Sequence, residues 1–256
     1  MFERVVPINK ERHAKTKVRL SSDFRFAAKF HLAYLTMAEF VRAASTYPVV
    51  FLEDKANDEF RPVALLGLDA GENLFVDEQG QWSASYIPAI IRRYPFALSK
   101  SDDADRYVVC VDEASDLISE TDGSPLFDEA GNTTQVIENV KTYLGELQQM
   151  DQLTQEFTQF LVHNNLLTPL NMRVNAADQV KSITGSYVIN EERLTNFSDE
   201  KFLEVRHKRY LPAIYAHLLS LPQIERLVSL KKPQQDASPA AEPAKRQSKA
   251  TKETLQ

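Results

Sequence analysis

From Val136 to Phe160, eight apolar side chains fall at intervals of three and four: Val136, Val140, Tyr143, Leu147, Met150, Leu153, Phe157 and Phe160. That period belongs to one face of an α-helix, and it predicts a helix over 134–162. At 1.5 Å per residue such a rod runs about 43 Å, roughly the span of a small domain. Everything else in the chain is patterned in shorter pieces, so the fold must be built along this element. Its other face carries Gln148, Gln149, Gln152, Gln155 and Gln159. One reading is a core helix with a solvated back. The other is a helix through which a second copy of the chain could pair.

The shorter pieces mix strands and helices without strict alternation, which favours α+β over a doubly wound parallel sheet. "ERVVPIN" (3–9) reads as an edge strand, since Pro7 brings no donor to a ladder. Helical spacing of Phe30, Tyr34, Met37, Phe40 and Val41 predicts a helix over 27–45. "YPVVFLED", "RPVALLGLD", "FALSKS", "RYVVCVDE", "TPLNMRVN" and "QVKSITGSYVIN" read as strands, with Gly185 bending the last. Two turns echo each other: "LFVDEQG" and "LFDEAG" both place Asp three residues before Gly, which is type I turn chemistry. A short helix is expected over "SYIPAIIRRYP", with Ser85 as N-cap and an end at Tyr94-Pro95. Asn132 with Gln135 would cap the long helix. Residues 196–230 return to helix, broken at Pro212 and Pro222. The predicted fold is α+β, with a mainly antiparallel sheet, several packed helices and one long amphipathic helix. One domain over 1–230 is expected. A disordered basic tail over 231–256 should follow, where Pro, Ala, Gln, Ser and Lys leave nothing to bury.

Composition excludes several functions. A lone cysteine, Cys110, rules out an internal disulfide framework and fits a reducing compartment. No window approaches ~18 uncharged apolar residues, so no membrane span is expected. The N-terminus lacks an apolar signal region, and the cytoplasm is the expected location. The net charge of −6 divides into +3 over 231–256 (six Lys/Arg, three Asp/Glu) and −9 over the rest. An acidic body argues against nucleic acid. There is no P-loop, GxGxxG or GxSxG, and no cofactor is expected. The Glu204–His207 spacing supplies one half-motif where a di-iron bundle needs two, so no metal is expected. A catalytic alternative would need His31, Glu204 or His207 beside Arg92 in one cleft.

The densest chemistry lies in "GENLFVDEQGQWSASYIPAIIRRYPFAL" (71–98), which holds the single tryptophan. Asp77, Trp82, Tyr86, Arg92, Arg93 and Tyr94 are the candidate site residues. Trp82, Tyr86 and Tyr94 could stack on the two guanidinium groups. In one reading this is a structural clamp, with the arginines paired to acids such as Asp77. In the other it is a pocket for an anionic or extended peptide ligand anchored by arginine.

That segment, together with "AEFVRAASTYPVVF", "PLFDEAGNTT" and "YLPAIYAHLLSLPQIERL", resembles the SapC family over about residues 1–230. The resemblance implies a link to bacterial surface layers and their export. Relatives labelled peptide-transporter permeases fit this sequence poorly, because it offers no spanning segment. The expected function is a soluble, non-catalytic accessory protein that binds a protein or peptide partner. An enzyme, or an accessory partner of a flavin-dependent oxidoreductase, is the alternative.

Overall fold

The computed structural model describes residues 2–100, 106–176 and 179–231. Residues 101–105 and those from 232, which hold all but the first residue of the expected disordered tail, lie outside the described residues. Among those described, every strand pairing is antiparallel, as the α+β reading requires. Five strands form the largest sheet, in the order Leu167–Ala176, Gln179–Ile189, Val49–Asp54, Glu59–Leu65, Leu32–Tyr34. A second sheet runs Val5–Pro7, Tyr107–Asp112, Phe96–Lys100. Pro7 lies on its edge strand opposite Cys110, where a missing N–H breaks no ladder. Cys110 is buried, and burial pushes its thiol pKa up. The third sheet is a clasp of two-residue strands, Ile118–Ser119, Lys17–Val18 and Ser124–Pro125.

The long helix spans Gln135–His163 and ties two cores together. Ile137 and Leu144 in its first half pack with Val18, Phe96, Val111, Leu126 and Phe127. Phe157, Phe160 and Leu161 in its second half enter the larger core, with Phe40, Phe51 and Ile214. Between the two cores the apolar stripe comes to the surface, and Met150 and Leu153 are exposed. The C-terminal helices Asp199–His207, Leu211–Ser220 and Gln223–Lys231 pack beside the larger core.

Four local expectations are corrected. Residues 27–45 are not one helix. They form a 3-10 turn (Arg25–Ala27), the strand Leu32–Tyr34, a second 3-10 turn (Met37–Glu39) and the short helix Phe40–Ala43. Strand pairing of Leu32–Tyr34 with Val63–Leu65 overrides the helical spacing, and helix begins only at the Thr36/Glu39 capping box. The helix in 85–95 is a single turn, Ala89–Arg92, preceded by Pro88 rather than capped by Ser85. It does stop short of Tyr94-Pro95. Thr134, not Asn132, precedes the long helix, and its hydroxyl donates to the carbonyls of Pro125 and Leu126 instead of capping. The first C-terminal break falls at Arg209, whose φ is 60°, so Pro212 sits inside the next helix's first turn, whereas the break expected at Pro222 is present between Ser220 and Gln223.

Gly185 does bend its strand: its φ is 78°, beside a register shift opposite Leu170 and Met172. The two echoed turns share one hydrogen-bond pattern. Asp77 Oδ1 accepts from Gln81 N at 2.8 Å, and Asp128 Oδ1 accepts from Asn132 N at 2.7 Å. Gly80 and Gly131 adopt φ of 79° and 83°. A Cβ at Gly80 would also collide with the Asp23 carboxylate. Gly80→Ala should therefore cost about 1–2 kcal/mol, read as a lower urea midpoint at unchanged m. A midpoint equal to the parent's would mean the turn can relax away.

Candidate functional site

The six residues singled out in 71–98 divide into three roles. Asp77 serves its own turn through the bond to Gln81, and among the described residues it forms no ion pair with Arg92 or Arg93. The clamp built on Asp77 and arginine is thus replaced by a different one.

That clamp is made by Trp82 and Tyr86, which face inward. Trp82 Nε1 donates to the Tyr47 hydroxyl at 2.8 Å, and Tyr47 donates to the Tyr86 carbonyl. The edge of Phe24 meets the Trp82 ring at a centroid distance of 5.6 Å. The Tyr86 hydroxyl donates to Glu39 Oε1 at 2.7 Å, and so does the backbone N–H of Ala89, also at 2.7 Å. Glu39 Oε2 accepts from Thr36 N at 2.8 Å and from Thr36 Oγ1 at 2.9 Å. A carboxylate only 7 % exposed thus collects four donors and, among the described residues, no cation. Burial, and then the Glu39 carboxylate, push the Tyr86 hydroxyl pKa upward, so it stays a donor.

Arg92, Arg93 and Tyr94 turn the other way and line one groove of about 420 Å³. Its walls are the segment Arg92–Phe96, the first three turns of the long helix (Val136, Val140, Tyr143) and the strip Val18–Ser21. Arg92 is fixed from behind. Its Nε donates to the Ile87 carbonyl at 2.9 Å, and its guanidinium lies 5.8 Å from the Tyr86 ring centre and 5.6 Å from that of Tyr143. Arg93 sits 5.4 Å from the Phe2 ring centre. Tyr94 stacks on Phe26 at 4.3 Å and follows the chain into a cis bond with Pro95.

The charge of the groove opposes that of the body. Arg19, Arg92 and Arg93 line it, and among the described residues no Asp or Glu does. Arg19 donates to the Asp116 carbonyl, which holds it at the rim, and Leu20 beside it is 97 % exposed. Arg93 is desolvated, and burial lowers its pKa, so its charge is held at a cost that an incoming anion would offset. The arrangement can take an extended chain that presents apolar side chains with a carboxylate among them.

Arg19, Leu20 and the helix wall carry no signal in the sequence that marks them as part of a site. Val136, Val140 and Tyr143 fall on the helix's apolar face, and a 3.6-residue period does not separate a core position from a groove wall. The catalytic alternative finds no cleft here. Neither His31, Glu204 nor His207 lines the groove that holds Arg92. Glu204 pairs with Lys208 at 3.9 Å, half exposed. Among the described residues no three His, Cys, Asp or Glu side chains converge to hold a metal, and no helix is long and apolar enough to cross a membrane.

The architecture and the groove together describe an α+β protein of antiparallel sheets, with a cationic, aromatic-backed recess against its longest helix. The chain belongs to the SapC family, whose model matches residues 8–227 and so takes in the whole groove wall from Val18 to Tyr143. No curated protein and no solved structure matches it.

Proposed function

We propose that the protein is a non-catalytic accessory protein that binds an extended, acidic-apolar peptide segment of a partner protein in the groove walled by Arg92–Phe96 and the start of the long helix. The observation that carries this reading is the charge of the recess. Three arginines line an apolar groove with no acid among the described residues, on a body whose net charge is −9 outside the 231–256 stretch. A partner bearing a carboxylate between apolar side chains is complementary in both respects. Family membership supports a setting in surface-layer assembly or export, and the lone buried Cys110 suits a reducing cytoplasm.

The test begins with affinity capture from producing cells and ends with purified components. Arg92→Glu should weaken the captured partner at least tenfold and lower its salt sensitivity, because Arg92 is exposed and its charge reaches solvent. Val140→Asp should do the same from the opposite wall. Partner affinity unchanged in both variants, with melting temperatures retained, would remove the groove from function and leave residues 71–98 as a clamp alone.

A further inference from the structure

Behind the groove, on the other side of Arg93 and Leu144, lies a second recess of about 270 Å³. It is walled by the strand residues Tyr34 and Pro62, by Ile90 and Leu98, and by Leu147 and Asp151 of the long helix. Its polar groups are unusual in what they lack. Arg93 makes no ion pair among the described residues, and its Nε is buried with no hydrogen-bond partner. Asp151 likewise meets no cation among them. Its Oδ1 accepts from the Tyr34 hydroxyl at 2.5 Å and its Oδ2 from Gln155 Nε2 at 3.2 Å. Burial, and then this carboxylate, raise the Tyr34 pKa, so the tyrosine remains a donor and keeps Asp151 in place.

Arg61 and Glu59 also line the recess but pair with each other at 3.7 Å, and Arg61 with Asp54 at 3.4 Å. Arg93 and Asp151 are therefore the cation and the anion that face it without an ion-pair partner among the described residues. They are more than 4.0 Å apart, the limit for an ion pair, yet the carboxylate still favours the arginine's charge. A ligand that carries both charges would complete both pairs at once. At ~30 Å³ per water, the recess holds the volume of about nine waters, the size of a single amino acid. Ile90, Leu98, Leu144 and Leu147 supply an apolar surface for its side chain.

We propose that this recess binds a small zwitterion, a free α-amino acid with an apolar side chain, its carboxylate on Arg93 and its ammonium on Asp151. The site is separate from the peptide groove apart from the shared Arg93 and Leu144. Neither Asp151 nor Tyr34 lines the groove, so Asp151→Asn and blocked ligands test the recess without altering the groove's wall, and Arg92→Glu tests the groove without altering the recess.

The experiment is calorimetric titration of the full chain with L-leucine and L-phenylalanine, each beside two blocked forms of leucine. N-acetyl-L-leucine removes the cation and L-leucinamide removes the carboxylate. Saturable binding of a free amino acid is expected, with both blocked forms at least tenfold weaker. Asp151→Asn should weaken the free amino acid at least tenfold while L-leucinamide stays weak. No binding of either amino acid at millimolar concentration overturns the proposal. So does equal binding of N-acetyl-L-leucine, because then the ammonium is not read. The blocked-ligand series needs no variant, so it decides the matter even if Asp151→Asn fails to fold.

Discussion

Between pH 6.5 and about pH 4 the fold is expected to lose about 3 kcal/mol of stability through one side chain, His217. This imidazole is fully buried against Phe51, with ring centres 5.1 Å apart. Its Nε2 accepts the backbone N–H of Ile189 at 3.0 Å, so the ring is neutral and carries its proton on Nδ1, which has no partner. Burial lowers the folded pKa from 6.5 to about 4. In the window between, the unfolded chain takes up a proton that the folded chain refuses. Protonation there favours unfolding, and stability is complete only above about pH 6.5. Urea unfolding from pH 7 to pH 4.5 would measure the slope. His217→Gln, whose amide oxygen can reach the Ile189 N–H, should be less stable at pH 7 but lose most of that slope. An unchanged slope in the variant would assign the acid sensitivity to other groups.

The second large effect is expected at Glu39. Glu39→Ala would strip acceptors from Thr36 N, Ala89 N and the Tyr86 and Thr36 hydroxyls together, leaving buried donors without partners. Each such orphan costs ~1–3 kcal/mol, and the sum after relaxation should be about 4 kcal/mol. Tyr86→Phe removes one donor and orphans none, so it should cost less than about 1 kcal/mol. Glu39→Gln should fall between, since one of its two ends must then face donors with an NH2. If Glu39→Ala costs no more than Tyr86→Phe, the carboxylate is not the centre of the clamp. Because Ala89 opens the turn that presents Arg92, the Glu39 variants should also weaken partner binding beyond their stability loss.

The elements most legible in the sequence are those with a local cause. The long helix follows from eight spaced apolar residues, both turns from Asp and Gly, and the edge strand from Pro7. At 27–45 local spacing competes with distant pairing, and the pairing wins. Phe30, Tyr34 and Met37 fit a helical face, but Leu32–Tyr34 gains a ladder from Val63–Leu65. The capping box from Thr36 to Glu39 marks the true helix start, inside the stretch whose spacing alone reads as one helix. The site is half legible for the same reason. Arg92, Arg93 and Tyr94 are adjacent in sequence and share a groove. Arg19, Val140 and Asp151 reach the two recesses only through the tertiary fold, and no local pattern distinguishes them.

The position of the first strand bears on how the chain is made. Val5–Pro7 pairs only with Tyr107–Asp112 among the described residues, and Lys17–Val18 pairs with strands at 118–119 and 124–125. On a ribosome adding ~5–20 residues per second, that early segment waits on the order of ten seconds for partners to emerge. Through that interval it is an unpaired strand edge, the kind of surface that recruits wrong neighbours. The Asp112 carboxylate ends the wait by accepting the backbone N–H groups of Glu3 and Arg4 at 3.0 and 2.8 Å. Synthesis past residue 112 for the first strand and past residue 125 for the second, rather than any step at the amino terminus, sets when the two can close.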